Sequence, residues 1–160
     1  MKTKLRIYID MDGVLADFNK AAGKMPNEKH PDQVLDFSKF EVIPGARDAV
    51  TKLIDMGHDI FIASTPPWNN KDAWGQKGVW IDTHFPELKK KVFLTHRKDL
   101  LEGDILIDDT TYRGQPDFKG TFIHFGKNGM YWPTITVMIE QLTNIKEYIS
   151  NGGPEYITDN

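Results

Sequence analysis

Short apolar runs alternate with segments of helical spacing along this chain. Four of the five runs are nearly continuously apolar and rich in isoleucine. That pattern is typical of parallel strands buried on both faces, because such strands present no face to water. We therefore predict five strands, at residues 5–9, 59–63, 92–94, 104–107 and 121–125.

The segments between these runs predict helices. Apolar residues at helical spacing follow Gly45 and stop before Gly57, a residue that suits the position just past a helix end. Further helices are predicted at residues 77–85, which stop before Pro86, and at residues 134–150. The alternation predicts an α/β fold with a doubly wound, mostly parallel five-stranded sheet and right-handed crossovers.

Residues 19–43 lack this alternation and contain the aromatic pair Phe37 and Phe40. We interpret them as a small cap insert that lies over the strand ends. The alternative is a plain connecting loop with one irregular helix. A chain of 160 residues is expected to form a single domain, residues 1–160, which contains this insert.

Composition and charge exclude several functional classes. The formal net charge is −3, and the lysine run at 89–91 suits a solvated helix end, so duplex nucleic acid is not an expected partner. The absence of cysteine excludes disulfides and thiol nucleophiles. With no long apolar segment, the chain is expected to be a soluble, cytoplasmic protein without a membrane partner. The oligomeric state stays open, with a homodimer among the options.

A D-x-D-G motif stands at the end of the first predicted strand, where Asp10 and Asp12 precede Gly13. Two carboxylates spaced in this way can hold a divalent cation, and they can also divide phosphoryl-transfer chemistry between them. The motif alone is moderately specific. The motif becomes stronger evidence for such a site because further polar residues follow the other strands.

Those residues are Ser64 and Thr65 after the second strand, Lys98 after the third, and Asp108 and Asp109 after the fourth. Ligands of open α/β sheets bind outside the carboxyl ends of the strands, so we expect these side chains to meet in one cleft. Taken singly, each has a plainer interpretation as a turn residue, a helix cap or a surface lysine.

Together these residues predict a phosphoryl-transfer site. Asp10, Asp12 and Asp109 offer the hard oxygen ligands that Mg²⁺ prefers. Asp10 could attack phosphorus, while Asp12 protonates the departing alkoxide and later deprotonates water. These roles require different protonation states, so the surroundings should separate the two pKa values. Ser64 would hold phosphate oxygens, and Lys98 would neutralise the transferring group.

The chain resembles the haloacid dehalogenase (HAD) superfamily of phosphohydrolases, whose four motifs match Asp10-x-Asp12, Ser64, Lys98 and Asp108-Asp109 in order. A closer resemblance is to the 5′(3′)-deoxyribonucleotidase family. The similar segments are residues 10–18, residues 40–46, residues 64–66, the helix with Trp80, Leu94-Thr95 with Lys98, and residues 106–109.

The resemblance implies a division of roles among the acidic residues. Asp10 is implied as the nucleophile. Asp12 is implied as the acid/base, which also binds metal through its backbone carbonyl. Asp109 is implied as the direct Mg²⁺ ligand, with Asp108 supporting it. The implied fold is the Rossmann-type fold of that superfamily.

For the substrate, the resemblance implies that Ser64 and Lys98 bind phosphate and that Phe18 packs on a nucleobase. The family typically has Thr then Ser where this chain has Ser64 then Thr65, so hydroxyl chemistry is retained. The cap is shorter than in the family, which leaves Phe37, Phe40 or Trp68 as candidates for its missing aromatic residues. Trp68 follows Ser64-Thr65-Pro66-Pro67 and is the best placed of the four tryptophans to line the cleft.

We therefore expect a Mg²⁺-dependent phosphomonoesterase that acts on deoxynucleoside monophosphates. One alternative is the same chemistry on another small phosphorylated metabolite or on a nucleic-acid 3′-phosphate. A second is a receiver-like signalling domain, which also gathers carboxylates and a lysine at strand ends. Receivers carry their phosphorylated aspartate after the third strand, where this chain has Thr95-His96-Arg97-Lys98.

Overall fold

The computed structural model describes residues 3–23 and 34–153, and its centre is a sheet of five parallel strands. Their spatial order is β3-β2-β1-β4-β5, so β1 is central and the chain order reverses beside it. All five predicted strands and the α/β class are confirmed. The strands are β1 Arg6–Ile9, β2 Asp59–Ser64, β3 Val92–Leu94, β4 Ile105–Asp108 and β5 Thr121–His124.

The described ranges contain four α-helices, of which three lie between strands and the last follows β5. They are α1 Phe18–Ala22, α2 Ala46–Asp55, α3 Asp72–His84 and α4 Trp132–Ser150. Single-turn 3₁₀ helices lie at Phe37–Lys39, Pro86–Leu88, Lys98–Leu100 and Gln115–Asp117. Gly57 follows α2 with a φ of +92°, a left-handed conformation that glycine adopts without strain. Within the described ranges, no helix is both long enough and apolar enough to cross a membrane.

Helix α3 begins at Asp72, five residues before the predicted start at residue 77. Its first turn is anchored by Asn70, whose side-chain oxygen accepts a hydrogen bond from the Ala73 amide at 3.3 Å. Further along, Trp80 is fully buried, and its indole N–H donates to the Phe40 carbonyl at 2.8 Å. The early start matters because it extends the buried side of α3 back towards the strand ends.

The two faces of the sheet are covered unequally. Leu5, Ile7 and Ile9 of the first strand region share one buried cluster with the inward sides of α2, α3 and α4. Tyr8 points to the other face, where the described residues of its cluster are sheet residues and the loop residues Leu101 and Phe118. Alternation of side chains along a strand explains the division. In the described part of the chain, the connections before and after β4 form 3₁₀ turns, Lys98–Leu100 and Gln115–Asp117, instead of α-helices.

The predicted cap insert, residues 19–43, is described in part, since residues 24–33 lie outside the described ranges. Its base is held by backbone hydrogen bonds, from the Asp17 amide to the Glu41 carbonyl and from the Ile43 amide to the Leu15 carbonyl, both at 2.8 Å. Phe37 and Phe40 are buried in the main cluster. The described part of the insert is therefore packed against the core beside the strand ends.

Candidate active site

The predicted site residues gather where the three central strands end. Ser64 is the last residue of β2, Asp108 is the last residue of β4, and Asp10 follows β1. The Asp10 amide donates to the Ile107 carbonyl at 2.9 Å, which continues the sheet by one residue. Because parallel neighbours end at the same edge, their terminal side chains share one region of space.

Lys98 joins two of these carboxyls. Its side chain is 1% exposed, and its Nζ lies 2.9 Å from Asp10 Oδ1 and in direct contact with Asp108 Oδ2. Burial alone would lower the pKa of Lys98, but the two carboxylates raise it above the usual value. Lys98 therefore stays an ammonium group and supplies a fixed positive charge beside Asp10.

Asp108 is fully engaged by protein donors. Its Oδ2 accepts from Lys98 and from the buried Gln115 Nε2 at 3.0 Å, and its Oδ1 accepts from the Thr110 amide and hydroxyl at 2.9 and 3.0 Å. These bonds use the directions in which a carboxylate accepts hydrogen bonds. Asp108 thus connects Lys98 with the loop that follows β4.

Asp109 and Asp10 remain as carboxyls that could bind a cation. With Asp108, they bring carboxylate oxygens within 4.8 Å of one another. Burial raises the pKa of Asp10 to about 7 and the pKa of Asp109 to about 6. A divalent cation would relieve this cost by compensating the clustered negative charge, and hard oxygen donors suit Mg²⁺. The donor set therefore fits a magnesium ion held by Asp10 and Asp109.

Gly13 allows the D-x-D-G turn to approach Asp109 closely. Its φ is +77°, and a Cβ placed on it would lie 2.0 Å from Asp109 Oδ2. Any other residue would meet both a strained backbone and a direct collision with a candidate metal ligand. The glycine of the motif is thus required by a residue almost a hundred positions away.

Asp12 and Ser64 meet through a residue that sequence reasoning missed. Lys77 of α3 is fully buried, its Nζ contacts Asp12 Oδ2, and it donates to Ser64 Oγ at 2.9 Å. A signal was present, because Lys77 shares the buried side of α3 with Ala73, Trp80 and Ile81. The predicted helix began at residue 77, so Ala73 lay outside it and the helical spacing from Ala73 to Lys77 was not recognised.

A cavity of about 390 Å³ opens onto Asp10 and Asp12, a volume in the range of small-molecule sites. Its wall includes the rings of Phe18 and Phe37, whose centroids are 6.4 Å apart. The other lining residues are Asn19, Thr65, Pro67, Lys98, Asp109, Thr110, Tyr112 and Arg113. The cavity thus combines a charged floor with aromatic walls.

The structure places the remaining predicted residues less uniformly. Thr65 lines the cavity, and its hydroxyl donates to the Thr95 carbonyl at 2.7 Å. Trp68 is 65% exposed and does not line the cavity. It packs against Trp74 and His96, with ring centroids 6.4 and 5.7 Å apart.

Arg113 was also missed by sequence reasoning. It lines the cavity, and its Nη1 lies 3.5 Å from the Thr65 carbonyl oxygen. Its loop is held by Gln115, whose side-chain oxygen accepts from the Arg113 amide at 2.7 Å. No local pattern marked this arginine, because its position depends on how the loop after β4 folds back towards β2.

The raised pKa of Asp10 predicts a pH-dependent difference between the metal-free wild type and Asp10→Asn. With a native pKa of about 7 and an ordinary value of 3.8, the native state binds the extra proton, so this stabilising contribution is lost as the pH rises from about 4 to about 7. Asparagine removes the titration. From pH 5 to pH 8, the unfolding free energy of Asp10→Asn should therefore gain about 2 to 3 kcal/mol relative to wild type.

Urea unfolding of both proteins in EDTA at the two pH values measures this difference. Asp109 titrates in both proteins, so its contribution largely cancels. A difference that is independent of pH would contradict the raised pKa of Asp10.

The fold and this arrangement of residues define the class, a HAD-type phosphohydrolase. A model of the family described as 5′ nucleotidase, deoxy (pyrimidine), cytosolic type C protein matches residues 29–129, more than half of the chain. The matched range includes Ser64, Lys77 and Lys98, and it begins after the D-x-D-G motif. The chain belongs to this family, which is part of the HAD superfamily.

Named relatives agree. A protein of Vibrio phage KVP40 that carries the provisional name 5′(3′)-deoxyribonucleotidase is 34% identical over 128 residues, covering 75% of each chain. The human 5′(3′)-deoxyribonucleotidase, cytosolic type, is 30% identical over 154 residues, covering 73% of this chain and 77% of the relative. The mouse mitochondrial 5′(3′)-deoxyribonucleotidase is 28% identical over 156 residues, covering 75% and 69%. The protein is therefore a phosphoric monoester hydrolase.

Proposed function

We propose that this protein is a Mg²⁺-dependent 5′(3′)-deoxyribonucleotidase that hydrolyses deoxynucleoside monophosphates through an aspartyl-phosphate on Asp10. The observation that carries the proposal is the contact of buried Lys98 with Asp10 at 2.9 Å, with Asp109 beside them. A lysine there can balance the negative charge of a transferring phosphoryl group, and the Asp109 carboxyl beside Asp10 can contribute to a cation site.

The surroundings of Asp10 suit a nucleophile. The chemistry that Mg²⁺ supplies when it is bound is neutralisation of the carboxylate charge that would repel a phosphate dianion. An Asp10 oxygen then forms a bond to phosphorus as the bond from phosphorus to the ester oxygen breaks. Asp12, two residues further on, gives its proton to the departing alkoxide.

The second half of the cycle reverses these proton roles. Asp12, now a carboxylate, takes a proton from a water molecule whose oxygen attacks phosphorus. The bond between phosphorus and Asp10 breaks, and inorganic phosphate leaves. Ser64 and Lys98 hold phosphate oxygens in both halves, so one set of donors serves two similar transition states.

The cavity supports a nucleotide as the substrate. The ring of Phe18 lines it beside Phe37, and a nucleobase stacked on an aromatic ring gains about 1–3 kcal/mol. Trp68 does not line the cavity, so base stacking is assigned to Phe18 and not to Trp68. The names of the relatives support a deoxynucleotide. A cytoplasmic location agrees with the human relative, which is of the cytosolic type, whereas the mouse relative is mitochondrial.

Phosphate release from a substrate panel tests the proposal. The panel contains deoxynucleoside and nucleoside monophosphates with 5′- or 3′-phosphates, sugar phosphates and a single-stranded oligonucleotide with a 3′-phosphate. Each is assayed with Mg²⁺ and with EDTA. We expect turnover that EDTA abolishes and a kcat/KM that is highest for deoxynucleotides.

Phe18→Ala is the matched variant for the base site. It should raise KM for deoxynucleotides by about tenfold, because a lost stacking contact is worth about 1–3 kcal/mol, and leave sugar-phosphate hydrolysis unchanged. Turnover of sugar phosphates alone would keep the roles of Asp10 and Asp12 but contradict the nucleotide substrate. Absence of turnover on every compound would contradict the phosphatase proposal.

A further inference from the structure

Lys77 is a buried charge that the steps above do not use. Its side chain is 0% exposed, although lysine is almost never fully buried unless it is paired. Its Nζ contacts Asp12 Oδ2, lies 2.9 Å from Ser64 Oγ, and stands 4.6 Å from the centroid of the Phe37 ring. All three neighbours belong to the site or line its cavity.

Fold stability gives no reason for a lysine at this position. Lys77 lies on the side of α3 that packs into the main cluster, next to Trp80 and Ile81. Replacing a buried ion pair by apolar side chains of similar volume is often neutral or stabilising, since desolvation opposes the Coulomb attraction. A lysine on the buried side of α3 therefore points to a role in the site.

The Asp12 carboxyl depends on this one contact. Among the described residues, Lys77 is its single hydrogen-bond donor, and the other oxygen, Oδ1, is buried without a donor. Asp10 is different, because Lys98 holds it while being held in turn by Asp108. A carboxyl with one donor has its orientation set by that donor.

We propose that Lys77 is a positioning residue that orients the Asp12 carboxyl, relative to Ser64, for proton transfer to the leaving group. This inference rests on the proposed function. Each of the two buried lysines then contacts a different carboxyl of the site. Lys98 serves the Asp10 carboxyl, which forms and breaks the bond to phosphorus, while Lys77 serves the Asp12 carboxyl, which gives a proton to the ester oxygen and later takes one from water.

Leaving groups separate this role from a structural one. The alkoxide of a nucleotide needs a proton as its bond to phosphorus breaks, whereas the p-nitrophenolate of an aryl phosphate leaves without one. Misplacing Asp12 should therefore slow nucleotides selectively. Since kcat/KM reports the steps up to departure of the leaving group, it is the parameter to compare.

The test compares Lys77→Met with wild type on a deoxynucleoside monophosphate and on p-nitrophenyl phosphate, both with Mg²⁺. We expect kcat/KM to fall by about 10²-fold on the nucleotide and by only a few-fold on the aryl ester. Lys91→Met is the control. Lys91 also contacts an aspartate and a phenylalanine ring, those of Asp59 and Phe61. It lies at the amino end of β3, away from the carboxyl ends that carry the site, so its loss should change neither rate.

A double-mutant comparison identifies the partner. In an Asp12→Asn background, Lys77→Met should cost the nucleotide reaction no more than a few-fold, because the residue through which it acts is already lost. Equal losses on both substrates, or an undiminished loss in that background, would overturn the inference. If Lys77→Met lacks a native melting transition, Lys77→Gln takes its place in the same comparison. A wild type without turnover would instead refute the proposed function itself.

Discussion

Asp10→Asn is expected to lower turnover of the preferred substrate by roughly 10⁴-fold or more while the protein stays folded. The amide has the shape of the carboxyl, and its oxygen can still accept from Lys98, which is also held by Asp108. What is lost is the anionic oxygen that attacks phosphorus. Steady-state phosphate release with Mg²⁺, together with a melting curve for each protein, measures both parts of this expectation.

Asp104→Asn is a control that changes an aspartate at the amino ends of the strands, away from the site. Asp104 precedes β4 and accepts from the Arg6 amide at 2.8 Å, so it lies at the amino end of the strand that Asp108 ends. Its loss should leave turnover near the wild-type value. Appreciable residual activity in Asp10→Asn would contradict the covalent mechanism, because an enzyme that activates water directly does not need this carboxylate as a nucleophile.

Asp12→Asn is expected to lower nucleotide turnover by about 10²- to 10⁴-fold, the range of general acid–base catalysis, and to leave a phosphorylated enzyme that persists. The asparagine cannot protonate the departing alkoxide, so the first step slows. It also cannot take a proton from water, so hydrolysis of the aspartyl-phosphate on Asp10 becomes slower than its formation. Because p-nitrophenolate needs no proton, an aryl phosphate should load Asp10 efficiently in this variant.

Intact-protein mass measurement after rapid quenching would detect one added phosphoryl group per chain in Asp12→Asn and little in wild type. Asp10→Asn is the matched negative control, since it lacks the acceptor. If Asp12→Asn carries no phosphoryl group and its rate is insensitive to the pKa of the leaving group, the acid/base assignment is wrong. A wild type that accumulates the phosphorylated form and releases little phosphate would favour the receiver-like alternative.

The strands were predictable because their signal is local. Runs such as residues 105–107 are apolar on both faces of the strand, and in an alternating α/β pattern such a run is typical of a buried parallel strand. The start of α3 was less predictable. Its first turn depends on a hydrogen bond from Ala73 to Asn70, and Gly75 and Gly78 weaken the helical pattern that follows.

The resemblance implies different roles for Asp108 and Asp109, and the contacts of the two carboxyls in the structure differ. Two adjacent aspartates look alike in the sequence. One of them meets Lys98, Gln115 and Thr110, which use its oxygens, whereas the other faces the cavity. Which carboxylate can bind a cation depends on donors that come from other segments.

The sequence by itself determined the α/β sheet, the order of the polar residues along it and their convergence at the carboxyl ends of the strands. These follow from local periodicity and from the rule that parallel strands end at one edge. Only the tertiary structure decided that Lys77 reaches Asp12 and that Trp68 lies off the cavity wall. Such contacts join side chains from separate elements, and their distances are set by how those elements pack, which a linear pattern does not contain.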